Sequence, residues 1–114
     1  MSLPYNEQGH LLIGGIDAVS LAETYGTPLF VYDVERIRKN ARAFVKTFED
    51  RGMKAQVAYA SKAFSSVAML QVAKQENLSL DVVSQGELYT ALKADFPVEK
   101  IHLHGNNKSR GELE

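Results

Sequence analysis

The chain has no cysteine among its 114 residues and almost no net charge. Without cysteine it cannot form a disulfide scaffold, a zinc ribbon, an iron–sulfur site or a thiol nucleophile. Its 13 basic residues stand against 14 acidic ones, a net charge of −1, so no basic excess supports binding to nucleic acid. The lack of cysteine fits a reducing compartment, and we expect a cytoplasmic protein.

Long hydrophobic runs are also missing. The apolar stretch at 11–16 is too short for the core of a signal peptide and contains two glycines. Nothing approaches the roughly 20 apolar residues that cross a bilayer, so we expect no membrane association. The Walker A loop, the dinucleotide fingerprint, the nucleophile elbow and the HExxH motif are absent too. What remains is an ordinary globular composition, with 45% hydrophobic and 24% charged residues.

The sequence alternates between helical and extended patterns. Apolar residues recur at helical spacing in some segments and form short β-branched or aromatic runs in others. This alternation predicts right-handed βαβ units and a parallel sheet, so the predicted fold class is α/β. The predicted helices cover 17–25, 34–50, 65–77 and 84–95, and another begins at Ser109. The predicted strands are Leu29–Tyr32, Lys54–Ala60, Leu78–Val83 and Ile101–His104.

Capping residues and apolar faces support the predicted helices. Asp17 is an expected N-cap, and Gly26 is expected to end the same helix. Ser84 and Glu87 form a capping-box pattern, in which the hydroxyl accepts a free backbone N–H while the glutamate reaches back. The predicted core faces consist of Ile37, Ala41, Phe44, Val45 and Phe48; Val67, Leu70 and Ala73; and Leu88, Ala91 and Leu92.

Lys62 is the most informative polar residue, because it directly follows a predicted strand. In parallel α/β folds, functional groups collect at the carboxyl ends of the strands. A lysine at the mouth of a barrel would be partly desolvated, and its amine could attack a carbonyl to form a Schiff base. From spacing alone, a surface lysine with its charged head in water is the stronger interpretation.

Asp81 and two histidines are further candidate functional residues, because they lie in or at the ends of the predicted strands. A carboxylate inside a buried strand is costly unless it is paired or hydrogen-bonded, so Asp81 either orients Lys62 or serves the structure. His102 and His104 share one strand face because side chains alternate. Such a pair can bind zinc, but no further ligands are visible, and we predict no metal site. An inward histidine near a cofactor, or plain core histidines, fits better.

Four motifs together resemble the bacterial diaminopimelate decarboxylases. They are YGTPLFVYD (Tyr25–Asp33), YASKA (Tyr59–Ala63), DVVSQGEL (Asp81–Leu88) and HGNNKS (His104–Ser109). Their order and spacing also agree, and the resemblance extends from about Leu11 onward. These decarboxylases belong to the fold-type III group of pyridoxal-phosphate enzymes, which includes alanine racemase.

The resemblance implies both a fold and a chemistry. It implies an alanine racemase-like TIM (β/α)8 barrel followed by a β-domain, in a homodimer with active sites at the dimer interface. Lys62 would hold pyridoxal 5'-phosphate through a Schiff base, and Asp81 would lie close to that lysine. We expect Lys62 to be catalytic and Asp81 and His104 to bind the cofactor. The implied reaction converts meso-diaminopimelate to L-lysine and carbon dioxide in lysine biosynthesis.

The chain is short for such an enzyme, since a complete barrel needs ~250 residues. We therefore expect the N-terminal portion of a longer chain, with an incomplete barrel. Residues 1–32 would be an N-terminal segment that packs with the β-domain, and 33–114 the first part of the barrel. The 114 residues alone are expected to be inactive and, with an apolar strand edge exposed, to aggregate.

Three alternatives remain open. The full protein could be a related decarboxylase or racemase that acts on another amino acid, because the residues that choose the substrate lie outside this chain. It could be a pyridoxal-phosphate carrier without turnover, although the segment Leu11–Tyr32 resembles the longer decarboxylases instead. The chain could also be a truncated product with no independent function.

Overall fold

The computed structural model describes residues 4–114. The elements alternate along the chain much as the sequence pattern predicts. Within the described residues, no helix is both long and apolar enough to span a membrane. The strands are β1 (Leu12–Ile13), β2 (Ile16–Asp17), β3 (Ala58–Ala60), β4 (Ser79–Val82) and β5 (Ile101–Leu103). The helices are α1 (Ala18–Tyr25), α2 (Val34–Glu49), α3 (Val67–Gln75), α4 (Gln85–Lys93) and α5 (Arg110–Leu113).

The chain divides into two compact units between Lys39 and Asn40, within α2. The first unit contains the antiparallel pair β1–β2 and α1. The prediction for α1 is confirmed: the Asp17 carboxylate accepts the N–H groups of Val19 and Ser20, and Gly26 follows the helix at φ 78°. The hairpin β1–β2 was not predicted, although two glycines between short apolar runs are a known hairpin signal.

The predicted strand Leu29–Tyr32 is wrong for this structure. These four residues have no regular secondary structure, and all are exposed, Phe30 to 88%. Their aromatic and β-branched composition favours a strand, but a strand needs a partner for its backbone hydrogen bonds. None of the strands in residues 4–114 pairs with this segment.

The second unit holds a parallel sheet in the order β3–β4–β5, which confirms the predicted βαβ arrangement. The register pairs Ala60 with Asp81 and Asp81 with His102. Each strand is shorter than predicted. The predicted strand starts at Lys54, but β3 begins only at Ala58. The sheet is open, and the three strands close no barrel.

The core of the second unit lies between the sheet and its helices. The predicted helix faces are only partly correct, because Phe44, Val67 and Leu92 are 63%, 39% and 53% exposed. Helical spacing identifies a face but not how much of that face is covered. The buried cluster comprises Leu70, Ala73, Leu78, Leu80, Val82, Ala91, Ala94 and Phe96, with Ala41, Val45, Val57, Tyr59, Leu88 and Ile101 packed against it.

Candidate active site at the carboxyl ends of the strands

The parallel sheet has an apolar face and a polar face. Leu80 and Val82 are fully buried in the core under the helices. Since side chains alternate along a strand, Asp81 points to the opposite face. Register places Ala60 and His102 beside Asp81 on that face. The residues that the sequence singled out in β4 and β5 therefore share one polar surface.

Lys62 lies just beyond the end of β3. It sits in a 3-10 turn, Ser61–Ala63, in which Ser61 is fully buried and Lys62 is exposed. Among residues 4–114, the Lys62 amine has no hydrogen bond or ion pair. The interaction with Asp81 considered from the sequence is not formed here. The structure thus provides a primary amine, free of polar partners, at the carboxyl end of a parallel strand.

Asp81 instead faces His104, the residue that follows β5. The Asp81 carboxylate oxygen Oδ2 lies 3.6 Å from His104 Nδ1, with Asp81 29% and His104 71% exposed. The His104 N–H donates to the carbonyl of Val82 at 2.8 Å, which extends the parallel ladder by one residue. In the described part of the chain, no cluster of three or more His, Asp or Glu residues could hold a metal ion.

Glu87 is a residue of this region whose role sequence reasoning missed. The Ser84 hydroxyl accepts the Glu87 N–H at 3.2 Å, as the capping box predicts. The other half of the box is wrong, because the Glu87 carboxylate does not bind the Ser84 N–H. Its oxygen Oε2 accepts the Val83 N–H at 2.9 Å and the Ser61 hydroxyl at 2.6 Å. A glutamate three residues after an N-cap is a signal for a cap, not for a distant partner.

Lys108 approaches the same place from the loop after β5. Its ammonium donates to the carbonyl of Val83 at 2.5 Å. Gly105 permits this approach, since its φ is +117° and an added Cβ would lie 3.0 Å from the Lys108 Nζ. The loop then enters α5. There the Ser109 backbone N–H donates a hydrogen bond to the Glu112 carboxylate, and this bond is the largest cause that holds the pKa of Glu112 below its ordinary value. A second hydrogen bond, from the Ser109 hydroxyl, lowers the same pKa further. The predicted sharp turn and cap are confirmed.

These residues fit a cofactor that carries an aldehyde. The Lys62 amine could bind the carbonyl carbon, and a carboxylate and an imidazole lie on the adjacent sheet face. The arrangement is compatible with one class, the parallel α/β proteins that bind a carbonyl-bearing group through a lysine at a strand end.

Comparison with protein families identifies the member of that class. Residues 34–114 match the family model described as "Pyridoxal-dependent decarboxylase, pyridoxal binding domain". The match covers most of the chain, and the chain belongs to this family. Membership confirms the resemblance noted from the sequence, the barrel-type fold class and pyridoxal phosphate as the family's cofactor.

Individual relatives agree with this assignment. The chain is 71% identical over 109 residues to the diaminopimelate decarboxylase of Bacillus methanolicus, and 68% identical over 108 residues to that of Bacillus subtilis. Those alignments cover 96% and 95% of this chain and 25% of each relative. The chain thus spans about a quarter of the length of these curated relatives.

Solved structures are also similar to almost the whole of this chain and to about a quarter of their own length. The diaminopimelate decarboxylase of M. jannaschii superposes with a TM-score of 0.85 at 35% identity, over 97% of this chain and 26% of that one. A structure of the M. jannaschii enzyme with L-lysine superposes with a TM-score of 0.82 at 37% identity, over 98% and 26% of the two chains. The open three-stranded sheet therefore corresponds to part of a larger fold.

Proposed function

We propose that the native-length protein is a diaminopimelate decarboxylase, which removes carbon dioxide from meso-diaminopimelate to give L-lysine. The observation that carries the proposal is the position of Lys62 at the end of β3, within a matched pyridoxal-binding domain. Its amine has no polar partner among residues 4–114. The 71% identity to a curated diaminopimelate decarboxylase supports this substrate. The complex of the M. jannaschii relative with L-lysine supports the product.

Three residues of this chain have proposed roles. Lys62 holds the cofactor covalently through Nζ, and its amine is available for proton transfer when substrate displaces it. Asp81 and His104 bind the cofactor, since both lie at the carboxyl ends of neighbouring strands. Pyridoxal phosphate, when bound, supplies an electron sink for the negative charge left by the departing carboxylate.

We also propose an assembly and a location. The native-length protein is a cytoplasmic homodimer. The absence of cysteine supports the location, and the family resemblance supports the homodimer. Within this chain, we propose 1–32 as an N-terminal segment that packs with the β-domain of the native-length protein, and 33–114 as the first part of the barrel. The family match, which begins at residue 34, supports that boundary.

Covalent trapping tests the proposal directly. Borohydride reduction of the cofactor-loaded native-length protein, followed by peptide mapping, should place a phosphopyridoxyl group on Lys62. Lys62→Arg keeps the positive charge but should abolish trapping and lower turnover by about a thousandfold or more. Lys93→Arg is the matched control, because Lys93 lies over the Tyr89 ring on α4. It should leave trapping and turnover unchanged.

The substrate is tested separately with a panel of amino acids that includes meso-diaminopimelate, ornithine and arginine. Release of carbon dioxide chiefly from meso-diaminopimelate would support the proposal. Trapping at Lys62 together with turnover of another amino acid would reject the substrate but keep the cofactor site. Trapping without any turnover would favour a pyridoxal-phosphate carrier.

A further inference from the structure

A single carboxylate oxygen links the turn that carries Lys62 to the next strand end. Glu87 Oε2 accepts the Ser61 hydroxyl at 2.6 Å and the Val83 N–H at 2.9 Å. Ser61 is fully buried, so its hydroxyl has no access to water. A hydrogen bond to a charged acceptor is shorter and stronger than one between neutral groups. The bond therefore constrains the backbone at Ser61.

Ser61 is the residue immediately before Lys62, and the rest of the turn is also held. The Phe64 N–H donates to the Ser61 carbonyl at 3.1 Å, and the Tyr59 hydroxyl donates to the Phe64 carbonyl at 3.1 Å. The Lys62 side chain makes no polar contact among the described residues. The backbone of its neighbours thus helps to set its position, and the link from Ser61 to Glu87 is one of the constraints on that backbone.

Val83 is held from both sides. Its N–H donates to Glu87, and its carbonyl accepts from the ammonium of Lys108. Ser61, Val83 and Lys108 follow β3, β4 and β5, respectively. The hydrogen bonds therefore tie together the ends of all three parallel strands, with Glu87 joining the first to the second.

We propose that Glu87 is a positioning residue for Lys62. By holding Ser61 against the β4 end, its carboxylate fixes the turn so that the Lys62 amine meets the cofactor carbonyl in a reactive geometry. The inference rests on the proposed function, because it assumes that Lys62 binds the cofactor. A reacting group that is misplaced by about 1 Å can lose about a hundredfold in rate. Loss of one of several constraints on the turn should have a smaller effect.

The test measures covalent attachment, not only activity. The native-length protein is freed of cofactor, and the absorption change on adding pyridoxal phosphate gives the rate of attachment to Lys62. Glu87→Ala should slow attachment about tenfold, since it removes a charged acceptor from Ser61 and Val83. Alanine is a good helix former, so α4 is preserved. It also keeps the backbone N–H that donates to the Ser84 hydroxyl. Glu99→Ala, at an exposed glutamate in the turn before β5, is the matched control and should have no effect.

Further variants separate positioning from general stability. Glu87→Gln keeps an acceptor oxygen and should recover most of the attachment rate. Ser61→Ala should slow attachment, and the double variant with Glu87→Ala should be no slower than Glu87→Ala, because both remove the same bond. If Glu87→Ala does not fold, Ser61→Ala still tests the positioning role, since it deletes only one buried hydroxyl.

The outcomes distinguish this inference from the proposed function. A wild-type protein that is not trapped at Lys62 by borohydride rejects the proposed function. Normal trapping of the wild type, with unchanged attachment rates in Ser61→Ala and Glu87→Ala, overturns the positioning role alone. A lower melting temperature of the cofactor-free variants with an unchanged attachment rate also overturns it, because Glu87 would then be purely structural.

Discussion

The Asp81 carboxylate and the His104 imidazole face each other across the carboxyl ends of β4 and β5. Asp81 Oδ2 and His104 Nδ1 are 3.6 Å apart. This contact replaces the pairing of Asp81 with Lys62 considered from the sequence. It places a carboxylate and an imidazole side by side on the polar sheet face, and among residues 4–114 the Lys62 amine has no polar partner.

Replacing Asp81 by asparagine should weaken cofactor binding. The change keeps the shape of the side chain but removes the charge that attracts the imidazole, so we expect the cofactor Kd to rise about tenfold. Absorption titration of the cofactor-free native-length protein measures this Kd. Asp50→Asn, at an exposed aspartate after α2, is the control. An unchanged Kd in Asp81→Asn would remove Asp81 from the cofactor site.

A second prediction concerns His104, the other residue of this contact, and its effect on the cofactor Kd. His104→Ala should raise the Kd by no more than Asp81→Asn does. The double variant should fall short of the sum of the two effects in free energy, because groups in contact are coupled. Full additivity would show that the two residues act independently.

Gly105→Ala should destabilise the loop after β5. The φ of +117° disfavours any side chain, and the new Cβ would press on the Lys108 ammonium that binds the Val83 carbonyl. We expect a loss of about 1–3 kcal/mol in the free energy of unfolding. Gly111→Ala is a matched control, since Gly111 lies in α5 and an added Cβ there would meet no described residue outside its own helix backbone within 4 Å. Urea unfolding of both variants checks the prediction, which equal midpoints would contradict.

Arg42 stabilises the contact between α2 and the end of α3. Its Nε and Nη2 donate to the two oxygens of Glu76 at 2.6 and 2.8 Å, and the Glu76 side chain is only 6% exposed. Arg42→Ala leaves this carboxylate without its bidentate partner, at a cost of about 1–3 kcal/mol. Arg36→Ala removes an exposed arginine from the same helix and should cost almost nothing. Equal urea midpoints for the two variants would refute the assignment.

Asp17 should make stability depend on pH in the acid range. The hydrogen bond from His10, 2.9 Å from Asp17 Oδ2, is the main cause that lowers the pKa of Asp17 below its ordinary value of 3.8. The folded pKa lies below the unfolded one, so the stabilisation is complete above the unfolded pKa. It is lost as the pH falls below 3.8 and through the folded pKa.

Asp17→Asn isolates this contribution, because asparagine can still cap α1 but cannot ionise. The variant should be less stable than the wild type at about pH 6, and the difference should shrink as the pH falls to about 2.5. Urea midpoints across this range give the measurement. A difference that stays constant with pH would show that ionisation of Asp17 contributes nothing.

The existence and order of the elements in the second unit were predictable from sequence. Helical periodicity and the cap at Ser84 are local properties, and the Ser84 hydroxyl accepts the expected N–H of Glu87. The position of Lys62 followed as well, since a lysine directly after an apolar run must lie at a strand end. The family motifs added the cofactor, because they depend on residue identity at fixed spacing.

Other features depended on contacts between residues far apart in the chain. Leu29–Tyr32 has the composition of a strand, yet no partner strand lies among the described residues. Glu87 looks like half of a capping box, but its carboxylate bonds to Ser61, 26 positions away. Asp81 faces His104 and not Lys62 because the parallel register sets which strand ends meet.

The sequence by itself thus determined the α/β alternation, the family and the lysine that we propose as the cofactor's attachment point. These depend on local pattern and residue identity. Only the tertiary structure decided which carboxylate binds which partner at the strand ends. A hydrogen bond requires its atoms within about 3 Å, and for residues distant in sequence that proximity arises only once the sheet has formed.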